Sequence, residues 1–406
     1  MESTLFADTI SIGLGLSRER DAIKAVKEAM QQARADLSKE KIDLAIVFSS
    51  IDFAHPVTIK TINSLLREVP VIGCTGVAVI SDRGIFTHGL MIMLLSFSKS
   101  TSFSSVSVQD IQAKGALKAG EELGEKLLRG FHGIHRDLGI VFSDGQIKEG
   151  WNLIYGLQEK LGTSFPLIGA FASDDLRFSK SFVYLNQEVS SDAACGIIWG
   201  GKLNFGWGIK HGWKPLGKPH QVTKAKANVV YEIDGGPATK IYEEYLARNL
   251  EELKKELRRI SIFYPMGIHL PSSQEYLLRN IKSIEDDGSL VFQGNIPEES
   301  TIRLMIGTRE SCLDATRQAL NEAKASLIPT PVKKAPFVFI FESVSRYILL
   351  GRGAEQELKI IKEELGKDTR IAGIYTYGEQ AQLRLLNYQG KTYFHNQTIT
   401  VLVIGG

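Results

Sequence analysis

Three apolar runs pass through a glycine and end in polar side chains. VPVIGCTG (69–76) carries Cys74 and Thr75, FPLIGAFASDD (165–175) carries Ser173, Asp174 and Asp175, and RIAGIYTYGE (370–379) carries Tyr377 and Glu379. Cys74 would serve as a nucleophile only with a base in hydrogen-bond reach. His88 is near in sequence, but a loop lies between them. Ala170 and Ile374 take the place of Cys74 in the other two runs. That favours packing or pocket lining, since a buried cysteine behaves as a small hydrophobe. A Cys74-dependent hydrolase or transferase is the alternative reading. Thr75, Asp174, Tyr377 and Glu379 stand where a ligand's amino or carboxyl group would be held, because open α/β sheets bind ligands beyond the carboxyl ends of parallel strands. Tyr377 offers an apolar face and a hydroxyl, and Glu379 an acceptor suited to an ammonium group. Arg346, in ESVSR (342–346), has a fork of donors for a carboxylate. Asn396, in FHNQTITVLV (394–403), would support the Tyr377–Glu379 segment from a neighbouring strand.

Other combinations are poor. GLGLSR (13–18) and GRGAEQ (351–356) are incomplete versions of the glycine-rich dinucleotide loop. His132 and His135, in HGIH, have no acid or cysteine beside them. Cys74, Cys195 and Cys312 are widely spaced and form no CxxC pair. No metal and no cofactor is expected.

Forty-eight basic residues against 46 acidic ones leave +2 on 406 residues. Such a balance gives no long-range field for nucleic acid or an anionic membrane. The start, MESTLFADTISIG, does not read as a signal peptide. The most apolar stretches, such as GLMIMLLSF (89–97), are of strand length. A cytoplasmic location follows as the expectation.

The elements that must position these residues recur. DLAIVFSS (43–50) and DLGIVFSD (137–144) are nearly the same strand, and APFVFIFES (335–343) takes the same place near the end of the chain. Helical periodicity precedes the first two, in 21–37 and 115–131. Further helices are predicted at 57–69, 148–162 and 353–365. The glycine-bearing runs then read as strands, and GLMIMLLSF, AACGIIWGG (193–201) and QTITVLVIGG (397–406) as closing strands. The expected fold is α/β, with mixed sheets built from three pseudo-repeated βαβαββ units near 5–98, 101–201 and 301–406. The last two strands of each unit should be antiparallel, because no helix joins them. An α+β segment is inserted before the third unit, whose first strand and helix are read in 301–327. Within that segment GWGIKHGWKPLGKP (206–219) reads as a boundary, a helix should open at Pro237, and a hairpin should turn at Asp287–Gly288. Two regions follow, 1–215 with two repeats and 216–406 with the inserted segment and the third.

At these residues the chain resembles the FIST domain family of sensory and signal-transduction modules. PVIGCTG is similar to the family's Gly-Cys-Ser/Thr segment. VVYEIDGGPA, YLLRNI and DDGSLVF follow in order, and IYTYGEQ with the later FHNQTITVLV is the most specific pair. The resemblance spans about residues 8 to 404. It implies a sensory module that binds a small polar ligand, with amino acids as the suggested class; no kinase, methyl-accepting or output segment is read in this sequence, so signalling is expected to require a separate protein partner.

Overall fold

The continuous apolar runs become strands that are buried on both faces. Leu44–Ser49, Leu138–Ser143 and Phe337–Ser343 are buried along their whole length. A strand with no polar face is stable only at the centre of a covered sheet. In the computed structural model, which describes residues 10–201, 203–270, 275–327, 337–385 and 388–405, each is the centre of a six-stranded mixed sheet.

The three sheets share one strand order. Each central strand pairs in parallel with the glycine-bearing strand that follows it, Val71–Thr75, Leu167–Phe171 or Arg370–Thr376. On its other side runs the antiparallel closing strand, Leu90–Phe97, Ala193–Gly200 or Ile399–Ile404. Beyond that lies a further antiparallel strand, Ile10–Ser17, Ser102–Gln109 or Phe205–Lys210. The registers match as well: Phe48 faces Cys74, Phe142 faces Ala170, and Phe341 faces Ile374. Those three phenylalanines meet edge to face, with ring centroids 5.4, 6.1 and 5.7 Å apart. They form the middle of one hydrophobic core to which all three sheets contribute.

Amphipathic helices cover the outer faces. Ala22–Asp36 and Pro56–Leu66 pack on the first sheet, Ala116–Gly130 and Gly150–Leu161 on the second, and Arg309–Lys324 and Glu355–Leu365 on the third. Helix Ala22–Asp36 is capped by the Asp21 side chain, which accepts from the Lys24 amide at 2.8 Å. Helix Arg309–Lys324 starts from a Thr308–Ser311 capping box.

The structure corrects the expected units in two ways. First, each unit carries an extra hairpin, and that hairpin joins a different unit's sheet. Val79–Ser81 with Gly84–Phe86 extends the third sheet, Val183–Leu185 with Glu188–Ser190 extends the first, and Gly378–Leu385 with Tyr388–His395 extends the second. The closing strand therefore lies antiparallel to the central strand and is not paired with the glycine-bearing one. Two of these hairpins have only three residues a side, too few to show an alternating pattern in sequence.

Second, the first strand of the third unit is Phe205–Lys210, read above as a boundary, and not the segment beginning at Thr301. The insertion therefore lies within the third unit and not before it. The glycines explain the misreading. A Cβ on Gly206 or Gly208 would lie 2.0 Å from the carbonyl oxygen of Ala323 or Ala319. Only glycine lets helix Arg309–Lys324 rest on this strand. Gly13 and Gly15 do the same under helix Ala22–Asp36, where a Cβ would lie 2.1 and 1.8 Å from the Ala33 and Ala29 oxygens.

Thr301–Ile306 belongs instead to the eight-stranded sheet of the insertion, paired with Lys214–Lys226 and Met266–His269. This segment has its own core. Pro237 does not open a helix there. It pairs with Glu232 beside the turn, and the helix begins at Lys240. The hairpin Ile281–Ile284 with Leu290–Phe292 stands where expected.

Candidate functional site

A cavity of about 900 Å³ opens where the second unit, the insertion and the third unit meet. Its first wall is the loop that follows the central strand Leu138–Ser143. Gly145 allows that loop to ride on the neighbouring strand end, because a Cβ there would lie 2.0 Å from the Ala172 oxygen and 3.2 Å from the Tyr377 ring. The loop delivers Gln146 and Lys148 to the cavity, and the first turn of helix Gly150–Leu161 delivers Trp151.

The second wall is built on Asp174. Its carboxylate accepts the amides of Arg177 (3.0 Å), Phe178 (3.1 Å), Ser179 (2.8 Å) and Lys180 (3.2 Å), and the hydroxyl of Tyr377. Burial alone would raise this carboxyl. The hydrogen bonds from Tyr377 and the Ser179, Lys180 and Phe178 amides outweigh it and hold the group below its ordinary value. Burial and the hydrogen bond to Asp174 push the Tyr377 phenol up, so it stays a donor. Wrapped on Asp174, the loop holds Leu176 and Phe178 at φ 70° and 54°. A bulky residue in that region is strained and persists only where its surroundings fix it. The outcome is that Phe178 stacks on Tyr377, with ring centroids 4.3 Å apart and planes 13° from parallel, inside the cavity lining.

The third wall is polar. Asn280 donates to Gln293 Oε1 at 3.3 Å and to Ser345 Oγ at 3.4 Å, and its amide reaches Asn396 Oδ1 at 3.4 Å. Gln397 donates to the Ser261 carbonyl at 2.8 Å and to Asn280 Oδ1. Asn280, Gln293, Ser261 and Ser345 line the cavity, and Asn396 and Gln397 stand behind them.

Of the residues singled out in the sequence, Tyr377 lines the cavity, Asp174 shapes its wall and Asn396 backs it. Four lie elsewhere. Cys74 is fully buried in the shared core, and burial raises its thiol well above the ordinary value. No base among the described residues is hydrogen-bonded to it, and His88 Nδ1 pairs with Asp52 at 2.9 Å. Thr75 clasps the first unit to the second: its hydroxyl donates to the Ser173 carbonyl at 2.8 Å and accepts the Phe182 amide at 3.1 Å. Arg346 is wholly buried, pairing with Glu342 at 2.9 Å and with Glu357, and donating to the carbonyls of His211 (2.7 Å) and Cys312 (3.0 Å). Its fork is spent on the protein itself. Glu379 is also buried, accepting the Thr398 hydroxyl at 2.8 Å and the Thr376 hydroxyl at 3.2 Å. Burial pushes its carboxyl up to about 8.

Sequence reading missed Phe178, Trp151, Asn280, Ser345 and Lys282. For Phe178 there was a signal, since it is a large ring in a polar loop beside a parallel strand's carboxyl end, whereas Trp151 sits in the first turn of a helix and reads as an ordinary apolar helix residue. Asn280 and Lys282 come from the insertion, whose packing against Ser345 and Asn396 of the third unit leaves no mark in the sequence.

Among the described residues no helix is long and apolar enough to cross a membrane. An uncharacterised protein of Methanocaldococcus jannaschii is 28% identical over 281 residues, 63% of this chain, and the chain spans only 52% of that protein. An uncharacterised protein of Mycobacterium tuberculosis is 22% identical over 79% of this chain and 83% of its own length. The crystal structure of a cyanuric acid hydrolase from A. caulinodans aligns over 97% of this chain and 99% of that one, at 7% identity and a TM-score of 0.37, too loose a likeness to bear on activity. Two family profiles match nearly end to end, the FIST N domain over residues 43–236 and the FIST C domain over 238–382, domains generally thought to be sensory and ligand-binding in signalling proteins. By these two matches, the chain belongs to the FIST family.

Proposed function

We propose that this chain is a cytoplasmic sensory module that takes a small polar metabolite into the cavity and passes its occupancy to a separate signalling partner. The observation that carries this reading is the position of the cavity. Trp151, Phe171 and Phe178 come from the stretch matched as FIST N, and Asn280, Ser345 and Tyr377 from the stretch matched as FIST C. A ligand that touches both has a differential effect on any state in which they move apart, which is what a binding signal needs. Tyr377 is the ligand contact among the residues first selected. Asp174 and Asn396 hold the walls, while Cys74, Thr75, Arg346 and Glu379 keep the frame. Amino acids belong to the ligand class this reading admits. The buried Cys74 gives a thiol-dependent hydrolase or transferase no support.

A thermal-shift screen of the whole chain against amino acids and other polar metabolites tests the reading. A ligand of the folded state raises the midpoint in proportion to ln(1 + [L]/Kd). We expect protection by a subset of compounds, and its loss in Phe178→Ala. A uniformly flat screen, with the wild-type chain folded, would refute the cavity as a metabolite site.

A further inference from the structure

Resting on the reading of this cavity as a ligand site, we infer that its ligand is an anion with a planar, unsaturated body, larger than a simple amino acid. The charge around the cavity is one-sided. Lys148, Arg258 and Lys282 line it, against the single acid Glu149. They arrive from three different elements, the loop after Leu138–Ser143, helix Leu257–Phe263 and strand Ile281–Ile284. All three side chains are exposed, and none forms an ion pair with another described residue, whereas Glu149 already accepts the Asn152 amide at 2.8 Å. The chain as a whole is close to balanced, with 48 basic and 46 acidic residues. A three-to-one excess in one concavity is therefore local, and cations that line one concavity favour an anionic partner. The first turn of helix Ala116–Gly130, which follows Gly115 and has neither a side-chain cap nor an acid, also borders the cavity and adds positive potential of the same sign.

The body of the ligand is read from the aromatic wall. Phe178 is 45% exposed although it is a large apolar side chain, and the strained Asp174 loop holds it flat on Tyr377. A ring held out to solvent at that conformational cost presents a face for another ring to stack on. The volume is about 900 Å³, near the top of the range of about 300–1,000 Å³ common for small-molecule sites. A single amino acid would leave much of it filled by water.

The anionic group is a carboxylate or a phosphate, and matched probes separate these from the uncharged case. The whole chain is titrated calorimetrically with 1-naphthoate, 1-naphthyl phosphate, 1-naphthamide and 1-naphthylmethylamine. We expect one or both anions to bind at least about tenfold more tightly than the amide, with the amine weakest. The stronger of the two anions identifies the headgroup. Charge reversal by Lys148→Glu or Lys282→Glu should weaken the anions by about tenfold and leave the amide unchanged. Phe178→Leu, which keeps an apolar side chain but removes the ring, should weaken all the naphthyl probes together. Circular dichroism verifies that each variant is folded. Equal affinity for amide and anion, indifference of anion binding to both charge reversals, or no binding of any probe overturns the inference. The parent reading is judged separately by the metabolite screen. If neutral or cationic metabolites protect the chain while these anions do not bind, the cavity is a ligand site and its selectivity for anions is wrong.

Discussion

Glu379 shows how burial changes what a residue can do. Beyond a strand end it would be an acceptor for an ammonium group. In the structure it lies in the hairpin that crosses to the second sheet, opposite Ala170, and has no exposed surface. Burial pushes its carboxyl up to about 8 from an ordinary value of 4.5, although the Thr398 and Thr376 donors oppose that shift. A carboxyl that is mostly neutral at pH 7 does not select a cation. The folded chain keeps this proton through a range in which the unfolded chain has already lost it. Stability from this group is therefore fully present below about pH 4.5 and is lost as the pH rises through about 8. The slope cannot exceed about 1.4 kcal/mol per pH unit for one group. Urea unfolding at several pH values from 5 to 8 should show wild-type stability falling more steeply than that of Glu379→Gln, which keeps the shape without the titration. Parallel profiles for the two proteins would mean that Glu379 is ionised in the fold.

At the scale of elements, the loop 174–180 is the clearest case of a short sequence whose role is to aim a side chain. Its amides converge on one carboxylate, and removing that carboxylate leaves strained residues with nothing to hold them. Asp174→Ala should cost about 1–3 kcal/mol, chiefly for the buried Tyr377 hydroxyl left without its acceptor, and it should free Phe178 from Tyr377. Asp174→Asn should retain part of the loop, since one side-chain oxygen remains an acceptor. Hydrogen exchange of the Phe178, Ser179 and Lys180 amides separates this account from a general loss of stability. We expect rapid exchange at these three positions in Asp174→Ala while the strand Leu167–Phe171 stays protected. Helix Val344–Leu350 offers a contrast. It brings Ser345 to the cavity wall while Arg346, the next residue, points into the Glu342 and Glu357 carboxylates. Burial opposes its charge, but those two carboxylates more than offset it. Adjacent residues in one turn thus serve the site and the frame, because successive side chains on a helix face different directions.

At the scale of the whole molecule, the exchanged hairpins matter most. We propose two regions, 1–215 and 216–406, as units of sequence, but their sheets are interlocked. The hairpin Gly378–Leu385 with Tyr388–His395 completes the second sheet, and Val79–Ser81 with Gly84–Phe86 completes the third. Phe48, Phe142 and Phe341 then meet across all three sheets. A fragment comprising residues 1–215 would expose the inner face of this core and an unpaired sheet edge. We expect it to aggregate or to lack native near-ultraviolet dichroism, and Phe341→Ala in the whole chain to cost about 3–5 kcal/mol in one transition common to both regions. A soluble fragment with native dichroism would show that the regions fold independently.

The sequence by itself determined the central strands, the helices that cover them and the succession of the sheets. DLAIVFSS, DLGIVFSD and FVFIFES read as buried strands, and the helices between them carry a 3.6-residue periodicity, because both properties are written in neighbouring residues. It also placed Tyr377 and Asp174 near the ends of parallel strands. Only the tertiary structure decided which strand ends open into a cavity, that Glu379 and Arg346 face inward, and that Phe205–Lys210 and not Thr301–Ile306 begins the third sheet. Each of those depends on a contact between residues far apart in the chain, such as Gly208 under Ala319 or Asn280 beside Ser345. The physical reason is that periodicity records which face of an element avoids water, whereas the partner that covers that face is chosen by the packing of the whole molecule.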